Sequence, residues 1–221
     1  VNPDEKTLKF IDNGLGMTSD EVEEYINQIA FSGATDFIEK YKDKANDDQI
    51  IGHFGLGFYS AFMVADQVTI DTLSYKKDAT PVHWACDGGT EFDMTDGTKE
   101  GVGTEITLYL NEDCLEFANE YRVREVLEKY CSFMPTEIYF TDEDAEADKE
   151  EKSENGESRE DGSADAKTVE KPINDTHPLW QKSPSECTPD DYKAFYRKVF
   201  HDYRDPLFWI HINADYPLNF K

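Results

Sequence analysis

Between Thr141 and Lys171 the chain carries almost nothing that could enter a core. The run Asp142-Glu143-Asp144-Ala145-Glu146-Ala147-Asp148 passes into Lys149-Glu150-Glu151-Lys152-Ser153-Glu154-Asn155-Gly156-Glu157-Ser158, and the whole stretch 141–171 has no aromatic residue and one β-branched aliphatic, Val169. Such a segment buries too little surface to offset the entropy of ordering it, and its like charges extend it. The expected organisation is therefore a folded part over residues 1–140, an acidic flexible linker over 141–171, and a second folded part from 172 to 221. The aromatics return in that last stretch with Trp180, Tyr192, Phe195, Tyr196, Phe200, Tyr203, Phe208 and Trp209.

The whole chain has 221 residues and a formal net charge of −26, with 38% hydrophobic and 13% aromatic residues. That apolar content supports a real core. The charge repels phosphate backbones and anionic lipid, which speaks against nucleic-acid and membrane-surface binding. No apolar run approaches the length of a bilayer span, and no secretion signal opens the chain. Cys86, Cys114, Cys131 and Cys187 form no CxxC pair and no zinc spacing, and read as free thiols in a reducing compartment. The five histidines are dispersed, and none is assigned to metal or catalysis. Val1 is no initiator methionine, and the alternating residues before Lys221 stop without a terminating signal, so a piece of a longer protein is expected.

The first part reads as mixed helix and strand. Strands are expected at Leu8–Ile11 and Glu137–Phe140, and at Val68–Thr72, Val82–Ala85 and Thr104–Leu110, the last three separated by Gly, Asp and Thr turns as in an antiparallel meander. Thr18 or Ser19 caps a helix with Glu21 in its first turn and apolar residues at Val22, Tyr25, Ile26, Ile29 and Ala30; Gly33 ends it. Further helical stretches are expected at 36–41, over the apolar run Phe58–Ala65, and at Phe117–Cys131. In the second part Asp191–Tyr203 sets Tyr192, Phe195, Tyr196, Val199, Phe200 and Tyr203 on one wide face, which reads as core. Helices beside an antiparallel sheet give an α+β fold.

Three segments carry chemistry. In Asp12-Asn13-Gly14-Leu15-Gly16-Met17 a carboxylate at a strand end precedes two glycines one residue apart. The glycines let backbone approach a flat ligand while the carboxylate accepts from it, and the exocyclic amine of adenine is a natural donor. The same residues also suit an Asx-type turn that merely joins strand to helix. In Gly52-His53-Phe54-Gly55-Leu56-Gly57-Phe58-Tyr59-Ser60 three glycines before a helix-like run gather backbone N–H groups around one point. Such a loop holds phosphate without a basic patch, or else serves only as a hinge. No Gly-Lys-Ser/Thr follows, so it is not a Walker loop. Thr104, after Gly101-Val102-Gly103, offers one hydroxyl near a base or simply belongs to a turn.

Taken in order, Asp12-x-Gly14-x-Gly16-Met17, Ala30-Phe31-Ser32-Gly33, Gly52 through Ala61, and Gly103-Thr104 resemble the ATP-binding domain of the heat-shock protein 90 chaperones. His177-Pro178-Leu179-Trp180, Asp190 through Tyr196 and Asp215 through Lys221 look like the start of that family's middle domain, and the acidic tract falls where the family keeps a charged linker. The Gln28–Ala34 spelling is similar to bacterial members. The glycine motifs are shared with gyrase-like, mismatch-repair and histidine-kinase ATPases.

The resemblance implies a two-layer α/β sandwich that binds ATP and ADP with Mg²⁺. Asp12 would bind the adenine amine, Gly16 and Met17 would line the base pocket, and Thr104 would join the water network around the base. Gly55, Gly57 and Phe58 would contribute to the phosphate loop, and residues 29–57 would form a lid. Phe31 stands where many relatives have a lysine, and Tyr25 where some have a nucleotide-contacting asparagine. The family's general-base glutamate and its Mg²⁺-holding asparagine would precede Val1, and its middle-domain arginine would follow Lys221. Residues 1–221 alone are therefore expected not to hydrolyse ATP, and no catalytic or metal-ligating residue is assigned among them. The resemblance further implies a cytoplasmic chaperone in a stress response, client proteins as partners, and a homodimer joined through a C-terminal domain. Two other readings stand beside it: a nucleotide-gated binding module without turnover, and a topoisomerase or mismatch-repair ATPase, against which the acidity argues.

Overall fold

A computed structural model of the chain describes residues 1–28, 56–142 and 171–212. The chain divides into two compact units, one built on Val1–Glu125 and one joining Val126–Phe140 to the described residues from Lys171 onward.

The first unit is organised by a five-stranded antiparallel sheet of β1 (Thr7–Asp12), β2 (Ala65–Leu73), β3 (Val82–Cys86), β4 (Phe92–Asp96) and β5 (Gly103–Leu110). Its spatial order is β1-β5-β2-β3-β4. The expected meander of β2, β3 and β5 is not what forms: β2 and β3 pair as neighbours, but β5 lies on the far side of β2, between it and β1, and β4 takes the place beside β3. β4 was not anticipated: Phe92-Asp93-Met94-Thr95-Asp96 is short and acidic, and it is recruited by pairing along β3 from Cys86↔Phe92 to Val82↔Asp96.

Register assigns each residue to a face, because side chains opposite one another in an antiparallel pair point the same way. One face carries Leu8 and Phe10 of β1, Leu108 and Ile106 of β5, Val68 and Ile70 of β2, and Trp84 of β3. Over this face pack Val22 and Ile26 from the first helix and Phe58, Ala61 and Phe62 from the segment before β2. Val22, Val68 and Ile70 are completely buried there. The other face bears polar pairs, with Lys9 Nζ 3.5 Å from Glu105 Oε1 and His83 Nδ1 2.8 Å from Asp71 Oδ1. One apolar and one polar face give an α+β unit of two layers.

Helix α1 (Ser19–Tyr25) begins at a capping box in which the Thr18 hydroxyl accepts from the Glu21 N–H and the Glu21 carboxylate accepts from the Thr18 N–H. It stops sooner than the apolar spacing suggests. The Ile26 carbonyl, which a further turn would use, accepts from Tyr59 Oη at 2.7 Å. The expected continuation through Ile29, Ala30 and Gly33, and the stretch 36–41, lie outside the described residues. Gly57–Met63 forms a 3₁₀-helix, and Ala65, expected at the end of this run, instead begins β2. The expected helix from Phe117 is two elements: a 3₁₀-helix Glu112–Ala118 and helix α2 (Glu120–Cys131). The break falls at Asn119, which adopts an extended backbone and whose Oδ1 accepts from the Arg122 N–H, starting a new helix.

In the second unit, Glu137–Phe140 is no strand. Its partner is a single turn of chain: Ile173 N–H donates to Ile138 O at 2.8 Å, and buried Asn174 replaces the rest of a ladder. The Asn174 amide donates to Met134 O and Thr136 O, and its Oδ1 accepts from Ile138 N–H at 2.7 Å. Phe133, Trp180 and Phe195 meet edge to face or tilted, with ring centroids 4.8–5.9 Å apart. Helix α3 (Pro189–Phe200) starts at the capping box of Thr188 and Asp191 and ends at His201 in the left-handed conformation. It therefore stops before Tyr203. Tyr192, Phe195 and Tyr196 are half-buried, whereas Val199, Phe200 and Tyr203 are exposed, so among the described residues only the first half of the expected face is core. The linker residues 143–170 lie outside the described residues, and all four cysteines are free and half-buried.

Candidate functional site

Where the apolar rows of the sheet end, the next row is polar. Asp12 of β1 is opposite Thr104 of β5, and Thr104 is opposite Thr72 of β2. The three side chains thus share the helix-covered face, one step beyond Phe10, Ile106 and Ile70. The carboxylate is exposed, Thr104 is 7% exposed and Thr72 is fully buried. An open acceptor therefore stands beside two hydroxyls shielded from water.

The loop after β1 is fixed against this row. Asp12 Oδ1 accepts from Gly14 N–H at 2.8 Å, which is the Asx-type turn. No other side-chain hydrogen bond of Asp12 is formed among the described residues, so the turn holds Oδ1 and leaves Oδ2 without a partner among them. Gly16 has φ +60°, and a Cβ there would come within 1.9 Å of Leu73 O. Only glycine lets the loop cross β2 so closely. The crossing is tied on both sides: Met17 N–H donates to Thr72 Oγ1 at 2.9 Å, and Tyr75 N–H donates to Leu15 O at 2.8 Å. Gly103, with φ +129°, performs the same service between β5 and β1, where a Cβ would meet Asp12 O at 2.1 Å.

Of the residues expected to form a site, Asp12, Gly16, Met17 and Thr104 converge on this corner. Thr72 joins them, hydrogen-bonded to Met17 and Thr104, and was not anticipated. Its sequence signal is faint, a threonine closing the alternation Val68-x-Ile70-x-Thr72, and its meaning depends on the register with Thr104. Gly55 lies outside the described residues. Gly57 begins the 3₁₀-helix, and a Cβ there would meet no atom within 4 Å among the described residues. The Phe58 ring packs edge to face on Trp84 and Phe62 at 5.8 and 6.0 Å. Trp84 Nε1 in turn donates to Asn27 Oδ1 at 2.9 Å, anchoring the end of the α1 segment to the sheet.

The electrostatics nearby are modest and local. Burial raises the Glu21 carboxyl, but the bonds from Thr18 and the ammonium of Lys76, 2.9 Å away, outweigh it and hold the group below its ordinary value. Among the described residues no cluster of three or more His, Cys, Asp or Glu side chains is placed to hold a metal ion. No helix among them is long and apolar enough to cross a membrane.

An acceptor-rich corner of this kind suits the amino edge of a purine. The fit is of base to corner: a carboxylate and hydroxyl oxygens for a donor, glycine backbone for a flat ring, and the Met17 side chain packed against the apolar cluster below.

Comparison with known proteins agrees with the fold. Residues 1–90 match the family described as histidine kinase-, DNA gyrase B-, and HSP90-like ATPase, and residues 116–221 match Hsp90 protein. The chain is 51% identical over 215 residues to the chaperone protein HtpG of Bacteroides thetaiotaomicron, covering 96% of this chain and 29% of that protein. It is 44% identical to HtpG of Porphyromonas gingivalis over 97% of this chain and 29% of the relative. To HtpG of Escherichia coli it is 41% identical, over 94% of this chain and 31% of the relative. The chain spans less than a third of the length of these curated relatives.

Proposed function

The chain belongs to the Hsp90 family, and from that premise we propose that it works as the nucleotide-binding part of an ATP-dependent chaperone that assists protein folding. The observation that carries this reading is the row Asp12, Thr104 and Thr72, an exposed carboxylate backed by shielded hydroxyls beside the Gly16 crossing.

Asp12 accepts from the exocyclic amine of adenine. Gly16 and Met17 border the base, and Thr104 completes its polar wall. The main chain of Gly55, Gly57 and Phe58 contributes N–H donors to the phosphates, which lets a strongly acidic protein hold an anion without side-chain cations. Mg²⁺ bound with the nucleotide supplies neutralisation of phosphate charge. The segment 29–57 acts as a lid whose closure excludes water, and such steps commonly limit turnover. Domain limits of 1–140, 141–171 and 172–221, client proteins as partners, dimerisation through a C-terminal domain and a cytoplasmic location belong to the same proposal. The HtpG relatives support it over a topoisomerase or mismatch-repair ATPase.

The test is calorimetric titration of the intact protein with ADP and ATP, beside Asp12→Asn. Replacing the carboxylate by an amide turns one acceptor into a donor facing the adenine amine. Loss of a charged hydrogen bond weakens binding by about tenfold or more. Unchanged affinity in the variant would overturn the role of Asp12.

A further inference from the structure

Thr72 does more than fill the sheet. Its Oγ1 has three neighbours: Met17 N–H at 2.9 Å, Gly103 O at 3.1 Å and Thr104 Oγ1 at 3.1 Å. A hydroxyl has one proton and two lone pairs. The amide of Met17 can only donate, so it occupies one lone pair. The carbonyl of Gly103 can only accept, so it takes the proton. What remains for Thr104 is the second lone pair, and the proton that fills it must be that of Thr104. Both hydroxyls are shielded from water, which otherwise would scramble such an assignment. With its proton turned inward, Thr104 presents only lone pairs away from Thr72.

From this geometry we infer that Thr72 is a positioning residue that sets the hydrogen-bond polarity of the site: it makes Thr104 an obligate acceptor, so that Thr104 and Asp12 together admit an amino purine and reject a keto purine. The inference rests on the nucleotide reading above and deepens it, by naming what selects the base. An amino group donates to both acceptors. A keto oxygen in the same place faces lone pairs from both sides and leaves them unpaired, which is the arrangement that discriminates most strongly.

The readout is the ratio of dissociation constants for inosine diphosphate and ADP, measured by calorimetry on the intact protein. In Thr72→Val the shape is kept and the hydroxyl lost. The Thr104 proton is then free to turn toward the ligand and donate to a keto oxygen, and the ratio falls about tenfold. Thr72→Ser, which restores the hydroxyl, returns the ratio to that of the unaltered protein. A merely structural role would weaken both ligands in parallel and leave the ratio unmoved, and that result would overturn the inference. Should Thr72→Val not fold, Thr104→Val serves in its place. It removes the inward-locked acceptor itself, and the keto penalty must fall by a similar factor; an undiminished penalty counts against the assignment. If the unaltered protein binds neither nucleotide, the nucleotide reading fails as a whole. If it binds ADP and only the ratio test fails, the polarity assignment alone is lost.

Discussion

At Gly16 two independent demands meet on one residue. The backbone is left-handed, and the space a side chain would need is occupied by the carbonyl of Leu73. Gly16→Ala should therefore cost of the order of 3 kcal/mol, read as a shift of the denaturation midpoint, and weaken ADP binding because Met17 can no longer reach Thr72. Asp12 is simpler: its turn to Gly14 is local and is kept by asparagine, so Asp12→Asn should fold normally while binding nucleotide more weakly. This pair of residues also marks what the primary structure reveals. Asp12, Gly14 and Gly16 are close in sequence and their spacing carries the meaning. Thr72 and Thr104 are 32 residues apart, and neither means much until β5 slides between β1 and β2.

Among the elements, α1 is the one whose ends are most completely determined. Its start is the Thr18–Glu21 capping box, and Thr18→Ala should cost about 1 kcal/mol in urea unfolding. The Glu21 carboxyl titrates below its ordinary value in the folded chain. Its contribution is therefore present above the pKa of the unfolded glutamate and is lost as pH falls through the lower folded value. The stability difference between the unaltered chain and Glu21→Gln should be largest near neutrality and vanish in acid, which unfolding curves across that range would check. The start of α1 was legible because a cap is written in adjacent residues. Its end was not, because it depends on Tyr59, 33 residues away, taking the Ile26 carbonyl. For the same reason Glu137–Phe140 looks like a strand by composition yet forms none: β-branched and aromatic residues specify a readiness to pair, and the chain offers Asn174 where a partner strand would be.

For the molecule as a whole, the charge of −26 opposes compaction by self-repulsion. Raising sodium chloride from about 20 to 300 mM shortens the Debye length several-fold and should raise the melting temperature, as scanning calorimetry would register; a falling or flat midpoint would contradict it. The second unit has its own small core, so Trp180→Ala should lower its stability by about 2 kcal/mol by hydrogen exchange while leaving ADP affinity unchanged. Strand β4 bears on how many copies can share a solution. It borders the sheet, pairs on one side only among the described residues, and has solvent-facing aspartates at positions 93 and 96. Two molecules meeting along those margins would bring matching negative charges into contact before any main-chain bond could close, so the sheet protects its own rim from being extended by a neighbour.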